Sequence, residues 1–108
     1  MAVAVVAAEG PILDRVLDEE HANAAAGLSR AAYGRFDAAQ MKTGWGRGHL
    51  RRFALTDGAT VLASAKQYAL AGVLDRQPVR VCGIGSVFAH LPHGSPADAE
   101  MLVERLID

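Results

Sequence analysis

Two turn sequences, Asp57-Gly58 and Asp75-Arg76-Gln77-Pro78, cut the second half of the chain into three runs, Leu50 to Thr56, Thr60 to Leu70 and Val79 to Phe88. Turns of this composition close antiparallel hairpins, so the runs predict a three-stranded meander. In the third run Val79, Val81 and Gly83 alternate with Arg80 and Cys82 until Gly83-Ile84-Gly85-Ser86 breaks the alternation. Glycines inside a strand mark a bulge or a close approach by another group.

The flanks add a strand and helices. Ala2 to Ala8 is a short apolar run closed by Glu9-Gly10-Pro11, the punctuation of a strand followed by a turn. Ile12, Leu13, Val16, Leu17 and Ala24 then share one helical stripe, with Asp14, Asp18, Glu19 and Glu20 read as off it. Gly27 is expected to end that helix. Leu28 to Met41 offers a second helical stretch, interrupted by Gly34 and anchored by Tyr33 and Phe36. Lys42 to His49 has glycines at 44, 46 and 48 and is expected to be a loop. The last element has Ser95 as N-cap, Pro96 at its first position and Asp98 at its third, and buries Ala99, Leu102, Val103, Leu106 and Ile107. The chain stops at Asp108 with no capping glycine or proline, so it reads as an interrupted fold. The class is α+β: strand, two helices, three-stranded antiparallel meander, helix.

A chain of 108 residues with 51% hydrophobic and 21% charged residues is one ordinary globular domain. Eleven basic against twelve acidic residues set up no global field, so neither a nucleic acid nor an anionic membrane is expected as a partner. Met1 to Ala8 lacks a basic leader and is too short to span a bilayer, and Cys82, the single cysteine, excludes an internal disulfide and suits the cytoplasm. In its strand Cys82 reads as a small core residue. His90 and His93, with His21 and His49, lack the frame of a metal site. Arg47, His49, Arg51 and Arg52 read as a solvated basic loop. Trp45 stands between two readings, a wall of an acceptor pocket and a buried anchor.

The element order, together with Val79-Arg80-Val81-Cys82-Gly83-Ile84-Gly85-Ser86-Val87-Phe88 and the later Ala99-Glu100-Met101-Leu102-Val103-Glu104-Arg105-Leu106, resembles the first part of the GNAT superfamily of acetyl-coenzyme A-dependent N-acetyltransferases. Trp45 to Leu55 and the Asp57-Gly58 turn are similar to the lead-in of some bacterial members. The resemblance implies that residues 1–108 form a single partial α/β/α domain without the family's C-terminal strands and helix. It implies acetyl-coenzyme A as cofactor and an amine as acceptor. The backbone N–H groups of Val87, Phe88 and Ala89 would hold the pantetheine arm and thioester carbonyl. The pyrophosphate loop would fall on Gly94, Ser95, Ala97 and Ala99, where only Ala99 matches the family's Arg/Gln-x-x-Gly-x-Gly/Ala pattern. The resemblance names no catalytic residue, and the general base stays open among Glu9, Asp57 and Glu100. With the family's fifth strand absent, the edge from Val79 to Ile84 is expected to pair two copies of the chain. A non-catalytic, self-associating remnant is therefore the alternative to an acetyltransferase module.

Overall fold

The computed structural model describes residues 3–24 and 27–107, so Ala2, Asp108 and the Ala24 side chain of the expected elements lie outside the described residues. Strands β1 (Val3–Ala7), β2 (Leu50–Asp57), β3 (Thr60–Leu74) and β4 (Gln77–Ala89) form one sheet in the order β1-β2-β3-β4, with every neighbouring pair antiparallel. Helices α1 (Gly10–Ala24), α2 (Arg30–Lys42) and α3 (Gly44–His49) separate β1 from β2, and α4 (Pro96–Ile107) follows β4.

Alternation along the strands sends two side-chain sets to opposite faces. Leu55, Ala63, Ala65 and partly buried Phe53 and Ile84 meet Leu102 of α4 on one face. Ala54 meets Val16 of α1 on the other, with Ala8 and Val61. Leu55 and Leu102 are completely buried, and each such side chain stabilises the fold by about 1.5–3 kcal/mol relative to exposure. The α4 stripe covers this core through Leu102, Ala99, Met101 and Leu106, whereas Ile107 is turned to solvent.

Five expectations need correction. Lys42 to His49 is not a loop: Lys42 ends α2, and Gly44–His49 is helical because the Thr43 hydroxyl accepts the Gly46 N–H at 2.9 Å and caps the new turn. Gly46 serves close approach here, since a Cβ would overlap the Gln40 carbonyl. Helix α2 runs unbroken through Gly34, started by Ser29, whose hydroxyl accepts the Ala32 N–H at 3.1 Å. Phe36 is 60% exposed and anchors nothing. Cys82 is exposed and outside the core, because the hairpin that carries it outruns its covering helices. That hairpin is longer than the sequence pattern suggested: β3 continues to Leu74 and β4 begins at Gln77. The turn is Asp75–Arg76 alone, both with positive φ (50° and 66°), as a two-residue hairpin turn requires.

Candidate functional site

The interruption expected at Gly83-Ile84-Gly85-Ser86 is a real bulge at the end of that quartet. Ser64 pairs with Phe88 and Lys66 with Gly85, so Ser86 and Val87 together oppose the single residue Ala65. Ser86 has a φ of 48°, left-handed backbone that a serine adopts at a cost of about 1–2 kcal/mol. Beyond the bulge the His90 N–H donates to the Leu62 carbonyl at 2.9 Å. Antiparallel pairs alternate between bonded and non-bonded, so Phe88 directs its N–H to β3 and Ala89 directs its N–H to the free edge. Ser86 and Val87 share the single partner Ala65, and a bulge leaves one of two such residues outside the ladder. Of the three donors that the family resemblance implies, Ala89 is thus turned outward and Val87 lies in the bulge. On the α1–α3 face the β4 residues beside the bulge are glycines, and the Tyr68 ring lies across them, with its edge 3.1 Å from where a Cβ of Gly85 would stand.

Helix α4 begins close to this strand, but its N-terminus is closed. Ser95 and Asp98 cap it reciprocally: the Ser95 N–H donates to Asp98 Oδ2 at 2.9 Å, the Ser95 hydroxyl to the same oxygen at 3.1 Å, and the Asp98 N–H to Ser95 Oγ at 3.4 Å. Pro96 has no N–H to offer. Gly94 is buried against β3, donates to the His90 carbonyl at 2.7 Å, and has room for no side chain because a Cβ would overlap the Leu62 carbonyl. Ala97 is exposed and Ala99 packs against the core. A carboxylate and a spent cap occupy the place where an anion would need free N–H groups.

A buried charged cluster underlies the α1–α2 face, and it corrects two readings of the sequence. Arg52 is not part of a solvated loop. It donates from Nη1 to Glu20 at 2.6 Å and from Nε to Asp37 at 3.0 Å, with a second bond from Nη2 to Asp37. All three side chains are at most 5% exposed. Glu20 is on the apolar stripe after all, four residues beyond Val16. Tyr33 donates to the second Glu20 oxygen at 2.8 Å; burial, then that bond, push its pKa up to about 12. Burial opposes the charge of Arg52, but the two carboxylates outweigh it and raise its pKa. Lys66, next to Arg52 across the strands, is buried too. Burial first, and the neighbouring Arg52 second, hold its pKa below the usual lysine value. Strand parity carried the signal for this cluster, since Arg52 shares its face with buried Ala54.

The remaining candidates do not converge. His90 is buried against Ser64, with Nε2 2.7 Å from Oγ, and burial lowers its pKa, whereas His93 is exposed. No group of three metal-ligating side chains occurs among the described residues. Glu9, Asp57 and Glu100 lie at the end of β1, at the β2–β3 turn and on α4, and Glu9 lines a hollow of about 340 Å³ with Met41 and Arg51 at the sheet edge opposite β4. Trp45 is 47% exposed, so it is no buried anchor. Its indole stacks on His49, with centroids 5.2 Å apart and planes at 6°, and lies 6.3 Å from the Tyr68 ring.

A bulged β4, a covering helix after it and helices on both faces of an antiparallel sheet define an acetyltransferase-type fold. No protein-family model matches the sequence, and neither does any curated protein. Among solved structures, a Trypanosoma brucei acetyltransferase superposes with a TM-score of 0.66 at 15% identity, over 98% of this chain and 72% of that one. A protein described as "Putative acetyl transferase from Pyrococcus furiosus" does so with a TM-score of 0.65 at 11% identity, over the same shares. The chain therefore has the fold of these acetyltransferases. Among the described residues no helix is long and apolar enough to cross a membrane.

Proposed function

We propose that the chain is a partial GNAT-type domain that holds an acyl thioester of coenzyme A along β4 for transfer to an amine in the cytoplasm. The observation that carries this reading is the Ser86–Val87 bulge, which frees backbone N–H groups at a sheet edge. The thioester end of acetyl-coenzyme A fits these residues, because the Val87 and Ala89 N–H groups can hold its carbonyl oxygen and favour the negative charge that grows there. When bound, acetyl-coenzyme A supplies the activated acetyl group. An amine would approach over the Trp45 and Tyr68 rings, on the face where Gly83 and Gly85 carry no side chains.

The diphosphate end does not fit. The Ser95 and Asp98 N–H groups bond to each other's side chains across the α4 N-terminus, and the Asp98 carboxylate repels a phosphate. No turnover is expected from these 108 residues, and the same closed terminus favours a second reading, a non-catalytic module.

Calorimetry separates the two ends. S-acetylpantetheine and acetyl-coenzyme A should bind with equal, weak affinity, and Asp98→Ala should strengthen only the second, at a stability cost of about 0.5–1.5 kcal/mol for the lost cap. Binding of neither ligand would leave the non-catalytic reading. Acetylation of an amine above the uncatalysed rate would refute the statement that the chain is inactive.

A further inference from the structure

The chain has more surface than its mass requires. A compact monomer of 11.4 kDa exposes about 5,800 Å², whereas this one exposes 6861 Å². Its radius of gyration is 14.7 Å, against about 13 Å for a compact chain of this length. The excess of about 1,100 Å² is more than one partner buries in a standard protein interface, about 800 Å². The uncovered ribbon of β3 and β4 stands where apolar side chains meet solvent, with Val73 76% and Leu74 65% exposed and Leu70 and Val81 also open.

The edge of that ribbon has a defined donor pattern. In a two-residue hairpin the residues flanking the turn, Leu74 and Gln77, form a bonded pair. Alternation then turns Gln77, Val79, Val81, Gly83 and Gly85 toward β3, and Pro78, Arg80, Cys82 and Ile84 outward. Pro78 agrees with this parity, since proline is tolerated where the missing N–H would face away from the ladder. Arg80 is the single charged residue in β4, so little guards the edge against another strand.

We infer that two copies of the chain join through β4, antiparallel and about a two-fold axis at Cys82. In this register Arg80 pairs with Ile84 of the second copy, Cys82 with Cys82, and Ile84 with Arg80, so every outward N–H and C=O of the three residues is bonded. Centring on Arg80 opposes like charges. Centring on Val81 sets Ile84 against Pro78, which has no N–H. Centring on Gly83 or Ile84 runs into the bulge at Ser86–Val87. On the other face Val79 and Val81 come opposite Gly85 and Gly83 of the second copy, so large residues meet absent side chains. The result is an isologous eight-stranded sheet, in which the open edge of the ribbon is closed by a second copy.

Sedimentation equilibrium across the micromolar range should show a dimer. Facing Cα atoms of a bonded antiparallel pair lie about 5.5 Å apart, inside the range a disulfide spans. Diamide, which takes up the two electrons and two protons of a thiol pair, should therefore cross-link Cys82 to Cys82 in the unaltered dimer. Cys82→Ser should keep the dimer and lose the cross-link. Cys82→Pro removes an outward N–H from an exposed position and should weaken association at least about tenfold without changing the circular dichroism spectrum. A folded monomer throughout the range would overturn the inference, and so would a dimer that Cys82→Pro leaves intact. A dimer that diamide does not cross-link would overturn the Cys82-centred register, a result that needs no variant to fold.

Discussion

Strand β3 belongs to two different environments. From Val61 to Lys66 every residue is buried, and from Ala69 to Leu74 nearly every one is exposed. In the first half even charges are covered: Lys66 lies beside Arg52, whose guanidinium is bound by Glu20 and Asp37. In the second half even Val73 and Leu74 are bare. Polarity of the side chain therefore does not decide which part of this strand is interior. Coverage does: α4 and α1 pack against Val61 to Ala65, and Val73 and Leu74 lie beyond them.

The sharpest way to break this contrast is at its charged centre. Arg52→Ala strands two buried carboxylates and should cost about 3–5 kcal/mol in urea unfolding, whereas Val73→Ser on the ribbon should stay within about 0.5 kcal/mol in the monomer. Equal effects would mean that the cluster is solvated and the comparison false. A smaller effect is expected where the covered half of β3 meets the loop before α4. Gly94→Ala forces a Cβ into the Leu62 carbonyl, and the backbone shift should cost about 1–3 kcal/mol by the same measurement. A neutral result would show that this loop does not seal the core.

The smallest effect is a pH slope. Burial holds the His90 imidazole below its ordinary value of 6.5, so the unfolded chain binds that proton more readily than the folded one. Stability should then fall as the pH drops from about 6.5 toward the lowered value, and His90→Gln, which retains a hydrogen-bonding partner for Ser64, should flatten that part of the profile. An unchanged profile would place the His90 side chain in solvent. At the alkaline end the raised Tyr33 predicts the opposite sign, a contribution present below about pH 10 and lost toward about 12.

Local chemistry made the meander legible, because Asp57-Gly58 and Asp75-Arg76-Gln77-Pro78 mark turns, although the turning residues are Gly58-Ala59 and Asp75-Arg76, with Asp57, Gln77 and Pro78 paired in the strands. The Ser95, Pro96 and Asp98 start of α4 was legible for the same reason, and so was the break near Ser86. The charged cluster was not, although its positions were available: Glu20 follows Val16 by one helical turn, and Arg52 alternates with residues of the opposite face. Charge by itself argues for exposure at Glu20 and Arg52, and only the meeting of Glu20, Asp37 and Arg52 from α1, α2 and β2, distant in sequence, reverses that balance. The α3 helix escaped for a related reason. Its three glycines argue against a helix until the Thr43 cap and the tight approach to Gln40 are known. The outward turn of the Ala89 N–H group depends on ladder parity, which no single run of residues displays.

The stacked pair of Trp45 and His49 gives the protein an optical gauge of its own. Trp45 is the only tryptophan in the chain, so its emission comes from one place, the junction of α3 with the base of the ribbon. Tyr68, 6.3 Å away, lies well within the distance over which tyrosine passes excitation to an indole, and its ring rests on Gly83 and Gly85. Seating a ligand over Tyr68 and closing a second copy on β4 should each leave its own mark on a single fluorescence signal, with no label attached.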